Sequence, residues 1–452
     1  MKIILPSQTL ALTISLSFLV SFGLKAQSND DTISLKTMTD DVSYLASDKL
    51  NGRASFSPGI DQAANYISER FKQIGLQPMA GEKNFQQRFS LTNIAPLTIN
   101  ASLNGQLINN SHVTFASTLN SLSWQSPDDM NTHFVGEKDN MRAVINKVNQ
   151  QGGQHLLLIH TSHRKMFNGY SGYFSGGLNK LSVFSKGAIV MLLTDEKQIK
   201  SINIKAQTAI TEQQLTNVVA ILPAEDINKN KGQAAEIVLY SAHYDHLGAK
   251  SSGEGDLIYN GADDDASGIA AIINLAEYFA KNADNTRTLM FSAFTAEEIG
   301  GLGSRYFSQQ LDPNDVVAMI NIEMIGKPSK FGSGTLWMTG MERSNLGQLL
   351  NQHLKAHNTE IYKDPYPEQG LFYRSDNATL ARLGVPAHSF SSTQLDKDQH
   401  YHQVSDDIAS LNLPSMHQVI KHLAVATQGL VSGVDTPSRV DTNQVRAIGK
   451  IF

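Results

Sequence analysis

The sequence contains no cysteine. Disulfides and thiolate metal sites are therefore excluded, and any metal must be held by His, Asp or Glu. It has no surplus of basic residues either: 37 Lys and Arg stand against 42 Asp and Glu, a net charge of −5. A nucleic-acid binder needs a basic face, which disfavours that class. Past residue 26 no apolar run could span a membrane, since a spanning helix needs roughly 20 apolar residues. No internal repeat and no low-complexity segment is visible.

What is present suits a globular protein with real cores. The 452 residues are 41% apolar and 17% charged, enough for two or three domains. Residues 1–26 stand apart: Lys2 gives a positive start, Leu10–Leu24 is apolar and Ala26 suits a cleavage site. That is a secretory signal pattern. The expectation is an exported protein, periplasmic or extracellular, with no membrane attachment after cleavage. An uncleaved anchor is the alternative reading of the same run.

Met38, Val42 and Leu45 then mark a short amphipathic helix. Ser57-Pro58 opens a second, with Ile60, Ala64, Ile67, Phe71 and Ile74 on one face and Gly75 as C-cap. Phe85, Gln87, Phe89 and Leu91 alternate as a strand. From 95 to 214 the texture turns rich in Asn, Ser, Gly and Gln, with a hairpin turn expected at Asn104-Gly105. His155–His160 and Ala188–Leu193 read as buried strands there. An inserted, mostly β unit is expected. His133, His155, His160 and His163 share no ligand spacing and read as surface or turn histidines.

Chemistry concentrates between Glu236 and Glu298. The apolar runs Ile237–Ala242 and Leu289–Phe294 read as buried strands, and Ile269–Phe279 has helical spacing after Ser267, a plausible N-cap. Strand, helix, strand makes a βαβ unit with parallel strands. His243, Asp245 and His246 follow the first run, Asp263, Asp264 and Asp265 precede the second, and Glu297 and Glu298 follow the third. Each cluster alone could be a solvated turn. Their recurrence at element ends is what matters, because open parallel sheets carry their sites beyond the carboxyl ends of the strands. Glu323 ends the strand Val316–Ile322, and His402 lies in a late polar loop. Together they offer imidazole and carboxylate without sulfur, a set for hard or borderline cations.

The pieces HYDHLG, GADDDASG, TAEEIGGLGS, NIEMIG and Tyr401-His402, in that order, resemble the co-catalytic dizinc exopeptidases of peptidase clan MH. That family includes secreted bacterial aminopeptidases and glutamate carboxypeptidase relatives. The resemblance covers about 215–430 strongly and 38–90 moderately. It implies an α/β fold with a mixed, mainly parallel sheet flanked by helices, the zinc exopeptidase fold, and an inserted mostly β domain of protease-associated or apical type. The implied division is a signal peptide at 1–26, a first part of the peptidase domain at 27–94, the insert at 95–214 and the catalytic domain at 215–452.

Carried over residue by residue, the resemblance implies two zinc ions. His243 and Glu323 would hold one, Glu298 and His402 the other, with Asp264 bridging and a cis peptide after it. Asp245 would orient His243 as its hydrogen-bond partner. Glu297 would be the general base for a metal-bridged water. Tyr373 would donate to the oxyanion, with Tyr401 as runner-up. His400 is the other candidate for the late histidine ligand. The implied activity is an aminopeptidase acting on peptide substrates. A carboxypeptidase on the same centre and a single-zinc glutaminyl cyclase remain as alternatives, as does a binding module of this fold that has lost its metals.

Overall fold

The computed structural model describes residues 33–182, 186–225, 231–282 and 284–452. The signal-peptide reading falls outside the described residues.

The chain opens with α1 (Leu35–Leu45), capped by the Ser34 hydroxyl, which accepts the Thr37 N–H at 3.2 Å. A tight turn over Asp48–Arg53 leads to α2 (Pro58–Ile74), which Ser57 caps and Gly75 closes at φ 89°. The apolar stripe of each helix is buried, as its spacing predicts.

Next comes β1 (Gln86–Leu103), the first half of a long ribbon. Then β2 (Val113–Ser117), β3 (Asn131–Val135), α3 (Met141–Gln151), β4 (Gln154–Ile159), α4 (Arg164–Ser175) and β5 (Ala188–Leu193) build a separate four-stranded sheet. Its order is β2-β5-β4-β3; β3, β4 and β5 are parallel and β2 is antiparallel. Helices α3 and α4 make the crossovers that parallel strands require. Strands still outnumber helices across 95–214, but these two helices stand among them. Met141, Ile145 and Val148 form a buried helical stripe that the polar texture around them obscured. His155 is likewise buried, with its Nδ1 3.0 Å from His133 Nε2, and is not a surface histidine.

The ribbon returns as β6 (Ile202–Leu222), antiparallel to β1 from Leu103↔Ile202 to Gln86↔Val218. Both sequence-derived limits of the insert fall inside these strands, where Ala95 faces Ala209 and Gln214 faces Ser90.

β7 (Ile237–His243), α5 (Ser267–Asn282) and β8 (Thr288–Phe294) form the expected βαβ unit, with β7 and β8 parallel from Ile237↔Thr288 to His243↔Phe294. Ser267 starts α5 rather than capping it, because its hydroxyl donates back to the Asp263 carbonyl at 2.8 Å. The Asp264–Asp265 peptide bond ahead of it is cis. The remainder comprises α6 (Leu302–Phe307), β9 (Val316–Ile322), β10 (Leu336–Met338), α7 (Leu346–Leu354), β11 (Ile361–Lys363), α8 (Asn377–Ala381), β12 (Ala387–Ser391) and α9 (Leu413–Ala426).

The main sheet runs β11-β10-β12-β9-β7-β8-β6-β1, mixed, with a parallel centre of β12, β9, β7 and β8. Alternation along its strands separates two cores. Val238, Tyr240, Ala242, Phe291 and Ile320 face α1, α2, α5 and α9, while Leu239, Met290 and Met319 face α6 and α8. Helix α5 is apolar nearly all round and is buried from Ser267 to Ala276. Such a helix can only sit inside, so the turn before it is carried into the protein. Three strands, β7, β8 and β9, end at one edge beside that turn. Among the described residues no helix is long and apolar enough to cross a membrane.

Candidate metal centre

His243 is the last residue of β7, and its ring is buried. Its Nε2 lies 3.1 Å from Asp264 Oδ1 and 3.4 Å from Glu323 Oε1, at the end of β9. On the other side of Asp264, Oδ2 lies 3.2 Å from His402 Nε2 and 3.8 Å from His246 Nδ1. Glu298, just past β8, brings Oε1 to 2.8 Å from His246 Nδ1 and Oε2 to 3.3 Å from His402 Nε2. The five residues singled out as ligands from the sequence therefore meet in one place. Two compact donor groups share Asp264: His243, Asp264 and Glu323, and His246, Asp264 and Glu298. His402 faces the second.

His246 was visible in HYDHLG but carried no role in the sequence reading. The structure buries it completely against Glu298, and its Nε2 has no hydrogen-bond partner among the described residues. His400, the competing late histidine, turns away and bonds Ser405 at 3.0 Å.

Three imidazoles and three carboxylates, without sulfur, fit a pair of borderline divalent cations such as zinc. Burial alone would raise Asp264, but hydrogen bonds from His243 and His402 outweigh it and hold the carboxylate well below its ordinary range. The same contacts with Asp264 and Glu298 push His402 up to about 10. A cluster of buried carboxylates facing imidazoles in this way asks for positive charge between them.

The turns that present these groups are tied down from behind. Asp245 was expected to orient His243. Its carboxylate also accepts the backbone N–H groups of Glu297 and Glu298 at 3.0 and 3.2 Å. His243 Nδ1 is 3.7 Å from that carboxylate and closer, 3.1 Å, to the Asp245 carbonyl. Asp245 thus fixes the glutamate pair first. This turn needs such a clamp because Ala296 sits at φ 58°, a left-handed conformation that alanine rarely adopts. Glu297 keeps part of its side chain exposed, yet desolvation pushes its carboxyl well above the usual range, with Glu323 and Asp376 adding to the effect.

Asp406 accepts the N–H groups of Asp263 and Asp264 at 3.1 Å, and Lys327 joins Asp263, Asp398 and Asp406. Ser375 donates to Glu323 at 2.6 Å. Arg53, buried in the turn before α2, donates to the carbonyls of Tyr244 at 2.9 Å, Asn260 at 2.7 Å and Gly261 at 3.0 Å, and to Leu45. Gly52 must be glycine here, since a Cβ would lie 2.2 Å from the Gly248 carbonyl oxygen. None of these supports carries a local motif, so the sequence reading missed them.

Tyr373 does not face the centre. Its hydroxyl lies between the Gln444 carbonyl at 3.4 Å and the Arg446 N–H at 3.3 Å, with the Arg446 guanidinium 4.5 Å over its ring. Tyr401, the runner-up, stacks on His402 with ring centroids 4.0 Å apart and lines a cavity of about 110 Å³ beside Glu323. Arg374 lines the same cavity, and its Nη2 donates to the Tyr401 hydroxyl at 3.1 Å.

A mixed α/β sheet whose carboxyl edge gathers two imidazole–carboxylate groups around a shared aspartate defines an α/β protein with donors suited to metal cations. Residues 217–427, which contain all of those groups, match the model of Peptidase family M28. The chain is 28% identical over 219 residues to a protein of Trichophyton verrucosum named "Probable leucine aminopeptidase", covering 46% of this chain and 55% of that one. A protein of Pyrenophora teres f. teres named "Probable zinc metalloprotease" is 28% identical over 208 residues, covering 45% and 40%. The chain thus spans about half the length of the curated relatives it matches. The fold is shared with an aminopeptidase from Aneurinibacillus sp. strain AM-1, at a TM-score of 0.55 and 18% identity over 92% of this chain and 97% of that one. It is also shared with a zinc aminopeptidase from Bacillus subtilis, at a TM-score of 0.53 and 18% identity over 88% and 95%.

Proposed function

We propose that this protein is an exported dizinc aminopeptidase that releases N-terminal residues from peptides. The observation that carries the reading is the meeting of two imidazole–carboxylate groups on Asp264, beside Glu297, at the carboxyl edge of the sheet. His243, Asp264 and Glu323 would hold one zinc. Asp264, Glu298 and His402 would hold the other, with His246 as a further donor at Glu298. When bound, such a pair acidifies water and polarises the scissile carbonyl.

The chain's own residues do the rest. Glu297, held by Asp245, takes the proton of the attacking water and passes it to the leaving amine. Tyr401 donates its hydroxyl to the oxygen that gains charge. The substrate's ammonium group is read by Glu323 and Glu297. Asp263 is not available for it, since it accepts from Gly326 and Thr393 at 2.7 and 2.6 Å. Asp265 accepts from Gly268 and Met324 on Oδ1, at 3.0 and 3.1 Å, while its buried Oδ2 has no hydrogen-bond partner among the described residues.

A second reading has an observation of its own. Arg374 lines the cavity beside Glu323 with no carboxylate ion-paired to it among the described residues, and a guanidinium is suited to a terminal carboxylate. That is what a carboxypeptidase would need. The test compares one dipeptide with its N-acetyl and its C-terminal amide forms. Acetylation should cost about 1–3 kcal/mol or more by stranding buried acceptors, and amidation should be tolerated. The opposite pattern makes it a carboxypeptidase. Metal analysis should find two zincs per chain; one would favour the cyclase-like reading and none a binding module. Export rests on the pattern of residues 1–26. A chain lacking them should be soluble and active, and recovery of the intact segment in a membrane fraction would refute the cleaved form.

A further inference from the structure

Away from the acidic edge, the protein carries a cleft of opposite sign. Its volume is about 760 Å³, and it lies between the short strand Leu178–Lys180, helices α6 and α8, and the C-terminal segment. Lys180, Arg305 and Arg382 line it from three separate stretches of chain. None is fully exposed, and none forms an ion pair with a carboxylate among the described residues. Arg382 donates from Nε to the Arg446 carbonyl at 2.9 Å, which uses one of its five donors.

Like charges held together in a half-buried cleft oppose one another. Burial lowers all three cations; Arg305 lowers both of the others as well, and Lys180 falls to about 8. Ordinary surface lysines and arginines avoid this by spreading into solvent or pairing with Asp and Glu. Here all three stay half-buried and line one cleft. An oxyanion with several negative oxygens would remove the repulsion and satisfy the free guanidinium donors bidentately.

The cleft is joined to the catalytic edge. Helix α6 follows directly on the turn of Glu297 and Glu298, and α8 follows Ser375, which holds Glu323. The Ser304 and Thr379 hydroxyls, 3.2 Å apart, tie the two helices together. A ligand drawing Arg305 and Arg382 towards it would therefore brace both glutamate-bearing turns.

We propose that this cleft is a binding site for a phosphate-bearing ligand, read by Lys180, Arg305 and Arg382. The cleft has more room than a bare phosphate fills, which favours a phosphate ester over the free ion.

The test is isothermal titration of the zinc-loaded full chain with inorganic phosphate and with glucose 6-phosphate, at ionic strength held constant with chloride. Phosphate can also reach the metals, so each titration is repeated on Lys180→Gln and Arg305→Gln, which leave the metal centre untouched. The expected result is a binding event in the parent that weakens by about tenfold or more in each variant, as loss of one charge-assisted contact implies. Tighter binding of the ester than of phosphate supports the ester; the reverse order supports the free ion in the same cleft. Without ligand, both variants should melt at or above the parent's temperature, because a repulsion has been removed. Equal affinity in parent and variants, or no binding of either probe, overturns the proposal. If one glutamine variant does not fold, Arg382→Gln reads the same loss.

Discussion

Replacing Arg53 by lysine should be among the most damaging conservative changes in this chain, although Arg53 touches neither donor group. The side chain is 1% exposed and donates to four carbonyls, those of Leu45, Tyr244, Asn260 and Gly261. Tyr244 sits next to His243, and Gly261 opens the turn that carries Asp264. One guanidinium therefore pins two donor-bearing turns to the end of α1. It stays charged at neutral pH: burial pushes it down only to about 10, against the pull of Asp245 and Asp264. Lysine keeps the charge but offers a compact point cation in place of a rigid fork. It can satisfy at most two of the four carbonyls in their present positions, and each buried acceptor left without a partner costs about 1–3 kcal/mol. The expected loss is about 2–6 kcal/mol of folding stability. It is read as a lower urea midpoint at unchanged slope, followed through Trp124 and Trp337 emission. Zinc affinity, measured by competition with a chelating dye, should fall in the same variant by about tenfold or more, since the turns lose their common anchor. A stability change below about 1 kcal/mol with unchanged zinc affinity would refute the reasoning.

Other expectations are more local. Glu297→Gln should lower kcat by about 10²–10⁴-fold with both metals retained, whereas Glu298→Gln should lower metal occupancy; metal analysis beside kinetics separates the two, and a swapped pattern reverses the assigned roles. Tyr401→Phe should lower kcat, and Tyr373→Phe should leave it near the parent value because that hydroxyl serves Gln444 and Arg446. His388, buried between the Thr339 carbonyl at 2.7 Å and the Ser344 hydroxyl at 2.8 Å, is pushed down to about 4 by desolvation. It remains neutral in the fold while its unfolded form protonates below about 6.5. Its contribution is therefore complete above that pH and lost as pH falls towards 4, at most about 3 kcal/mol. His388→Gln, compared with the parent by urea unfolding in chelator at pH 7 and 4.5, should flatten that loss; an equally steep loss in both would refute it.

The donor residues were legible because chemistry and topology coincide at them. Apolar runs of strand length end on His243, before Glu297 and before Glu323, so a reader who recognises parallel strands knows where the side chains must gather. Their supports were illegible for the opposite reason. Arg53, Ser375, Lys327 and Asp406 act through backbone atoms of residues far away in the chain, and no spacing records that. Asp245 shows the limit well: its place in HYDHLG pointed to His243, yet its oxygens are taken by two N–H groups from another strand end. Tyr373 and Tyr401 are equally plausible as letters, and only packing against the C-terminal segment separates them. In the 95–214 stretch, Asn, Gln and Thr hid both the helices and the length of the ribbon, because strands exposed on both faces lack the apolar alternation that marks a half-buried one. The cationic cleft draws on residues 180, 305 and 382, separations over which a sequence carries no signal of proximity.

The ribbon of β1 and β6 bears on how the chain reaches this structure. Its nearest partners at the far end, Leu103 and Ile202, are already a long loop apart, and those at the near end, Gln86 and Val218, are further still. Closing such a loop in a random chain is slow, because contacts between distant residues must be formed against chain entropy before they return anything. The four-stranded sheet lies within that loop and is built largely from neighbouring β–α–β crossovers. Once formed, it brings the two ends together, and the pairing can run as a zipper from Leu103–Ile202 towards Gln86–Val218, delivering β6 to the edge of β8. On this order of events the stretch between the ribbon strands works as an assembly jig for the catalytic sheet, and a chain in which it is replaced by a flexible linker should fold late and slowly, with β8 the strand left waiting for its neighbour.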